Sequence, residues 1–275
     1  MNYLELVKEL KKTGVKVKKY GAVKEQGRTY PLYCVAENFG FDKTVLITSG
    51  FHGEEFNGPI SLVKILPLAA SYARRKKVNL LVYPCVNPSG FDKRERYNLS
   101  NEKLNNHFLV YKNSHGKRIL ILKRREKFAK FELEQSPAKE VRCLQTDLKK
   151  RGLLRFPPAV VLDIHQDDEL GKLGDFYVYI FNQHNLYKKI MKETEKYGRV
   201  ARRIKSRNLH KIGDVMDSID KDGFLIQHDG TLTDMFYRLG TPFSVTIETN
   251  NRAPLSRVKQ INLLWIKRMI DLVGS

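Results

Sequence analysis

The sequence predicts an α/β fold: a single domain over residues 1–275, built on a mixed, largely parallel β-sheet with helices on both faces. Three observations predict it. Apolar, strand-forming runs alternate along the chain with segments of helical periodicity, the order that produces parallel strands joined by helices. Two of those runs, at 45–49 and 160–165, change from aliphatic to polar residues at their C-terminal ends, where open α/β sheets collect ligands. The chain has 275 residues and 41% hydrophobic side chains, enough for one large core and short for two.

The elements follow in order. Residues 2–12 form an amphipathic helix whose acidic residues are unlike a secretion signal. Strands are expected at 15–20, 30–37, 44–49 and 78–86, with a helix over 57–75. Asn87-Pro88-Ser89-Gly90 has strong turn chemistry. Residues 111–116 also suit a turn, and 118–122 suit either a short strand or the start of a charged helix. Ser136 is placed to cap, and Pro137 to open, a helix over 139–150. Val141, Leu144 and Leu148 recur at three and four residues there, one buried face. Pro157-Pro158 closes the linker before the strand at 160–165. A strand at 176–181, a basic helix over 186–204 and a strand at 243–247 come next. The last helix, 255–273, puts Val258, Ile261, Trp265 and Leu272 on an inward stripe. Gly40, Gly90 and Gly174 read as turn punctuation.

Lys and Arg number 50 against 30 Asp and Glu, a formal net charge of +20. The excess is spread over residues 74–77, 117–118, 123–125, 149–151, 199–207 and the last helix. Such a surface attracts polyanions and steers anionic substrates, an effect that salt weakens. An anionic polymer is therefore a candidate partner. Specific nucleic-acid recognition is not indicated, since no reading helix, zinc finger or aromatic-basic sheet motif is present. No apolar run is long enough to span a membrane. The three cysteines, Cys34, Cys85 and Cys143, show no paired spacing, so reduced thiols and a cytoplasmic setting are expected. Nothing in the sequence sets the oligomeric state.

The chemistry concentrates in His52-Gly53-Glu54-Glu55, directly after the run at 45–49. His52 and Glu55 are three residues apart, so one tight turn can aim both side chains at one point. With the distant His165 they make a three-ligand site that leaves a fourth position open, the arrangement of a catalytic zinc rather than a structural one. Alternate strand residues share a face, so Asp163 and His165 point the same way and Asp163 can hold the ring nitrogen that a metal does not use.

Further motifs extend this pattern: Asn87-Pro88-Ser89-Gly90, then Arg96 and Asn98, then Leu104-Asn105-Asn106-His107-Phe108, then Asp163-Ile164-His165, then Glu248 at the end of the strand at 243–247. In this order and spacing, over roughly residues 40 to 250, the chain resembles the zinc metallocarboxypeptidases and their relatives, the aspartoacylase and succinylglutamate desuccinylase group. The resemblance implies one Zn2+ per chain, held by His52, Glu55 and His165. It implies that Glu248 is the general base that takes a proton from the attacking water and passes it to the leaving nitrogen. Arg96, rather than the nearby Arg94, matches the arginine that steadies the oxyanion. Asn105, Asn106, His107 and Asp234 fall at substrate-binding positions.

The sequence also departs from the family pattern. Asn106 stands where the family has the Arg that grips a substrate carboxylate, and a neutral amide cannot make that bidentate, charged grip. His107 is one candidate to compensate. Lys103 replaces an Asp, so carboxylate support for a ligating His is expected from Asp163 instead. Ile226, before Gln227, replaces a substrate-contacting Tyr. The acidic residues Asp167, Asp168, Asp229 and Asp234 would suit a substrate that carries an amine. The expected function is zinc-dependent cleavage of an amide bond in a small peptide, carboxypeptidase-like with altered carboxylate recognition. The alternatives are an N-acyl amino acid deacylase of the aspartoacylase type and a non-catalytic polyanion-binding protein on the same fold. A serine esterase does not fit, because Thr48-Ser49-Gly50 lacks the nucleophile-elbow spacing.

Overall fold

The structure, a computed structural model, describes residues 1–122, 127–168, 170–203 and 218–275. The chain runs α1 (Tyr3–Lys12), β1 (Val17–Glu25), β2 (Arg28–Glu37), β3 (Thr44–Ser49), α2 (Asn57–Arg75), β4 (Asn79–Tyr83), α3 (Pro88–Lys93), β5 (Leu109–Lys112), β6 (Arg118–Ile119) and β7 (Lys130–Leu133). It continues through α4 (Lys139–Lys150), β8 (Val160–Asp167), β9 (Phe176–Ile180), α5 (His184–Thr194), β10 (Phe224–Leu225), α6 (Leu232–Arg238), β11 (Phe243–Asn250) and α7 (Leu255–Asp271).

Eight strands form one mixed sheet in the order β1-β2-β4-β3-β8-β11-β9-β10. Its centre, β4-β3-β8-β11, is parallel, and β1, β2 and β9 bring the antiparallel pairings. Strand alternation sorts the side chains. Val45 and Ile47 of β3, Val160, Leu162 and Ile164 of β8, and Val245 and Ile247 of β11 enter the larger core with residues of α1, α2, α5 and α7. The opposite face carries Leu46 and Val161 in a second core with α4, α6 and the small sheet β6-β5-β7. Further along that second face the side chains turn polar: Thr48 on β3, Asp163 and His165 on β8, Thr246 and Glu248 on β11. The register aligns them, with Thr48 opposite Asp163 and Glu248 opposite His165. Helices on both faces and a polar patch at the C-terminal ends of parallel strands match the predicted class.

Several elements depart from expectation, each for a tertiary reason. The helix expected over 186–204 ends at Thr194. Beyond it the chain is drawn onto the sheet edge: Arg199 N donates to Asp175 Oδ2 at 2.7 Å and Ala201 N to Phe176 O at 2.9 Å. Its expected end at Ile204 lies outside the described residues, as do Lys123, Arg124, Arg125 and the part of the basic stretch from 204 to 207. Asn87-Pro88-Ser89-Gly90 opens α3 rather than forming a turn, with Asn87 accepting from Gly90 N at 2.9 Å as N-cap and Pro88 in the first turn. The N-cap of α4 is Ala138, so Ser136 and Pro137 precede the helix, and Ser136 Oγ instead accepts from Ala138 N at 3.2 Å. Leu272 is only partly buried, whereas Val258, Ile261 and Trp265 are fully so. Residues 118–122, which suited either a strand or a helix, contribute β6 to the small sheet beside β5, and the turn between them is closed by Asn113 Oδ1 accepting from His115 N and Lys117 N.

Helix α4 also buries Glu140 against a carboxylate-rich corner. Asn98 Nδ2 donates to Glu102 Oε2 at 2.8 Å and to Glu140 Oε2 at 3.3 Å, and Ser100 donates to Glu25 at 3.0 Å. Burial, reinforced by the Glu25 and Glu102 charges, pushes the Glu140 carboxyl up to about 7. A carboxyl with a raised native pKa contributes fully below its unfolded value of 4.5, and that contribution is lost as pH rises through 7. The variant Glu140→Gln, which mimics the protonated form, is therefore expected to be more stable than the parent at pH 8, by on the order of 2–3 kcal/mol. The gain should shrink towards pH 5. Urea denaturation at the two pH values checks this, and a parent more stable at pH 8 contradicts it.

Candidate metal centre

The loop after β3 turns at Gly50, whose φ of +69° suits glycine and whose missing side chain leaves room for Pro59 and Cys85. Val86 N donates to Ser49 O and Asn87 N to Gly50 O, so the segment after β4 continues the ladder beside this loop. Asn87 then fastens three pieces of chain, donating to Phe51 O at 3.3 Å and Arg96 O at 3.4 Å while capping α3. A Cβ on Gly53 would lie 2.0 Å from the Gly90 carbonyl carbon, so only glycine lets these backbones meet. The Asn87-to-Gly90 motif thus holds the His52 loop against the Arg96 loop.

His52, Glu55 and His165 converge, all three buried, each offering a ligand atom within 4.8 Å of the others. His52 Nδ1 lies 2.5 Å from Glu55 Oε1, and His165 Nδ1 lies 2.8 Å from Glu55 Oε2. The other nitrogen of His165, Nε2, meets Asp163 Oδ2 at 2.9 Å, and Asp163 Oδ1 accepts from Thr48 Oγ1 at 2.7 Å. Glu55 Oε2 also accepts from Gln166 N at 3.1 Å. Burial works against a charged His165, but Asp163 and Glu55 outweigh it and hold its pKa well above the usual value. Burial alone would raise Glu55, yet the two imidazoles hold it below the ordinary carboxylate range. His52 is lowered, by burial first.

This donor set fits a zinc ion. Two imidazole Nδ1 atoms and one carboxylate are the nitrogen and oxygen ligands of a catalytic site with an open position. Asp163 occupies Nε2 of His165, which leaves Nδ1 free to face the cluster. A second His-Asp-Asp group, His184 with Asp220 and Asp222, is partly exposed and already has the Lys188 ammonium 3.0 Å from Asp222.

Glu248 stands across from His165 on β11, partly open. Burial raises its pKa well above the usual value, Glu55, Asp167 and Asp163 add to the effect, and His165 opposes it. Arg96 is half exposed, donates to Glu54 Oε1 at 3.0 Å, and lies in the field of Glu55 and Glu248. Arg94 turns away, stacked over Phe56 and Phe91 and bonded to Met1 O.

The other residues named from the sequence scatter. Asn106 donates to Asp229 O at 3.4 Å, and Asn105 Oδ1 is buried without a partner among the described residues. His107 lies 3.7 Å from Glu134 and outside the metal cluster. Asp234 is wholly buried, its oxygens taken by Tyr111 OH, His228 and Gly230 N, and it braces the loop before α6. Asp168 is exposed. Tyr177 and Tyr179, read from sequence only as strand formers, face the site from β9: Tyr177 pairs with Glu248 and Tyr179 with Thr246. With Phe176, Val178 and Ile180 in the core, strand alternation was the signal for them.

A protein described as a metallopeptidase from Shewanella amazonensis shares the fold, with 23% identity and a TM-score of 0.67 over 99% of this chain and 92% of that one. Bovine thrombin-activatable fibrinolysis inhibitor, solved with tick carboxypeptidase inhibitor, aligns at 15% identity and a TM-score of 0.64, over 99% of this chain and 97% of that one. A metallo-carboxypeptidase from Pseudomonas aeruginosa aligns at 17% identity and 0.60, over 98% of this chain and 68% of the other. No curated protein matches the sequence. The profile of the succinylglutamate desuccinylase/aspartoacylase catalytic domain matches residues 42–195, which span β3 to α5 and include His52, Glu55, Arg96 and His165. With that match over more than half its length, the chain belongs to the succinylglutamate desuccinylase/aspartoacylase catalytic-domain family and has the carboxypeptidase fold.

Proposed function

We propose that this chain is a zinc-dependent hydrolase that cleaves an amide bond in a small peptide or N-acyl amino acid, with residues 1–275 acting as one catalytic domain. The observation that carries this reading is the convergence of His52 Nδ1, His165 Nδ1 and the Glu55 carboxylate, with Glu248 in register beside them. His52, Glu55 and His165 would hold a zinc ion, which would supply a Lewis acid and lower the pKa of water towards 7. Glu248, half buried and basic for a carboxylate, receives the proton of the attacking water and hands it to the leaving nitrogen. Arg96 supplies a permanent charge for the oxyanion. Its present bond to Glu54 is an exposed ion pair, worth about 0–1 kcal/mol, so turning it to substrate costs little.

The fold favours a carboxypeptidase-like peptidase. The family match, together with Asn106 in place of a carboxylate-gripping Arg, favours an N-acyl amino acid deacylase as the second reading. The free cysteines accord with a cytoplasmic setting, and the +20 charge with an anionic polymer as a surface partner. Among the described residues no helix is long and apolar enough to cross a membrane. The test is hydrolysis of a panel of dipeptides and N-acyl amino acids by the zinc-loaded protein. Turnover that a chelator stops and zinc restores is expected. Stoichiometric zinc with no turnover anywhere in the panel, joined to salt-sensitive polyanion binding, would instead identify a binding protein.

A further inference from the structure

Where the carboxypeptidase pattern places an Asn-Arg pair for a substrate carboxylate, this chain assembles acceptors. The segment at 106–109 runs along the loop at 228–230, with Phe108 N donating to Gly230 O at 3.0 Å and Asn106 Nδ2 to Asp229 O at 3.4 Å. The Asp229 side chain accepts from Gln227 Nε2 at 3.2 Å and Thr231 N at 3.4 Å, and the Asp234 charge lies close enough to disfavour a second anion there. A carboxylate only accepts, so the Gln227 amide must turn its NH2 to Asp229. That orientation leaves Gln227 Oε1 as a buried acceptor without a donor among the described residues, on a side chain only 7% exposed. Asn105 Oδ1, next in the chain to Asn106, is another.

The loop sits over the catalytic face. Thr233 Oγ1 and Thr246 Oγ1 are 2.9 Å apart, Thr246 pairs with Tyr179, and Tyr179 lies in the field of both Glu248 and Asp229. Two orphaned carbonyl oxygens are costly to leave buried and unpaired, and beside the partly buried Asp229 carboxylate they suit a ligand that donates several hydrogen bonds and carries positive charge.

We infer that this end of the site receives a protonated primary amine: Asp229 pairs with the ammonium, and Gln227 Oε1 and Asn105 Oδ1 accept its remaining hydrogens. Calling that ligand a substrate rests on the hydrolase reading above; the binding of an amine by these acceptors does not. Asp229 is then the residue that selects a leaving group with an amine in place of the carboxylate.

Three benzoylglycyl amides that share one scissile bond test this. Their leaving amines are 1,3-diaminopropane, 4-aminobutyrate and butylamine, ending in an ammonium, a carboxylate and a methyl group. Calorimetric binding to the Glu248→Gln protein, which should not turn them over, is expected to favour the ammonium compound over the carboxylate by about tenfold or more. Asp229→Asn should bring the three within about twofold of one another, and Asp229→Glu should restore part of the preference. Tighter binding of the carboxylate compound, or an ammonium preference that survives Asp229→Asn in a folded protein, overturns the inference. Hydrolysis of the same compounds by the unsubstituted zinc-loaded protein reports separately on the hydrolase reading. Ammonium-selective binding without any hydrolysis leaves the amine site standing and removes the enzyme, whereas hydrolysis without selectivity does the reverse.

Discussion

Glu248→Gln is expected to lower kcat for amide hydrolysis by about 10²- to 10⁴-fold, with bound zinc unchanged and KM little affected. Glu248 ends β11 opposite His165 but is no member of the His52, Glu55 and His165 cluster, so the amide replaces the base without touching a ligand. Gln has the same shape and cannot accept and return a proton. Because burial and the neighbouring carboxylates already disfavour the charged form of Glu248, the substitution should not weaken the fold. Steady-state kinetics beside metal analysis decide the matter. A variant that keeps zinc and retains more than about a tenth of the activity would show that another group moves the proton.

His165→Ala should have the largest structural effect. The His165 ring lies between two buried carboxylates, 2.8 Å from Glu55 and 2.9 Å from Asp163. Removing it leaves both without their shared partner, and breaking a buried pair in this way costs about 3–5 kcal/mol. The ring also lies parallel to Phe51 at 6.0 Å, so packing is lost as well. Zinc binding should fall below detection together with activity. Denaturant unfolding with metal analysis checks both. A variant as stable as the parent, or one that still binds zinc stoichiometrically, contradicts the assignment of His165.

The parts of this site that were legible in the sequence depend on local geometry. The three-residue spacing of His52 and Glu55 and the two-residue spacing of Asp163 and His165 fix direction whatever the rest of the chain does. The polar ends of the apolar runs likewise located the face on which Thr48, Asp163 and Glu248 line up. The parts that were not legible depend on contacts between distant segments. Helix α5 stops at Thr194 because residues 199–201 bond to β9, a competition that periodicity cannot show. Gly53 is required by the Gly90 backbone, over thirty positions along the chain. The bonds that Tyr111 and His228 make to the buried Asp234 carboxylate likewise join segments that no local spacing links. The Glu140 corner joins α4 to residues 25, 98 and 102, a meeting of acids that no local pattern announces.

Equilibrium dialysis of the purified protein against zinc puts the central assignment to its most direct trial. One tightly held ion per chain is expected, falling to none in Glu55→Ala and staying at one in Glu248→Gln. A protein that binds no zinc, or whose binding is indifferent to the loss of Glu55, would contradict the account.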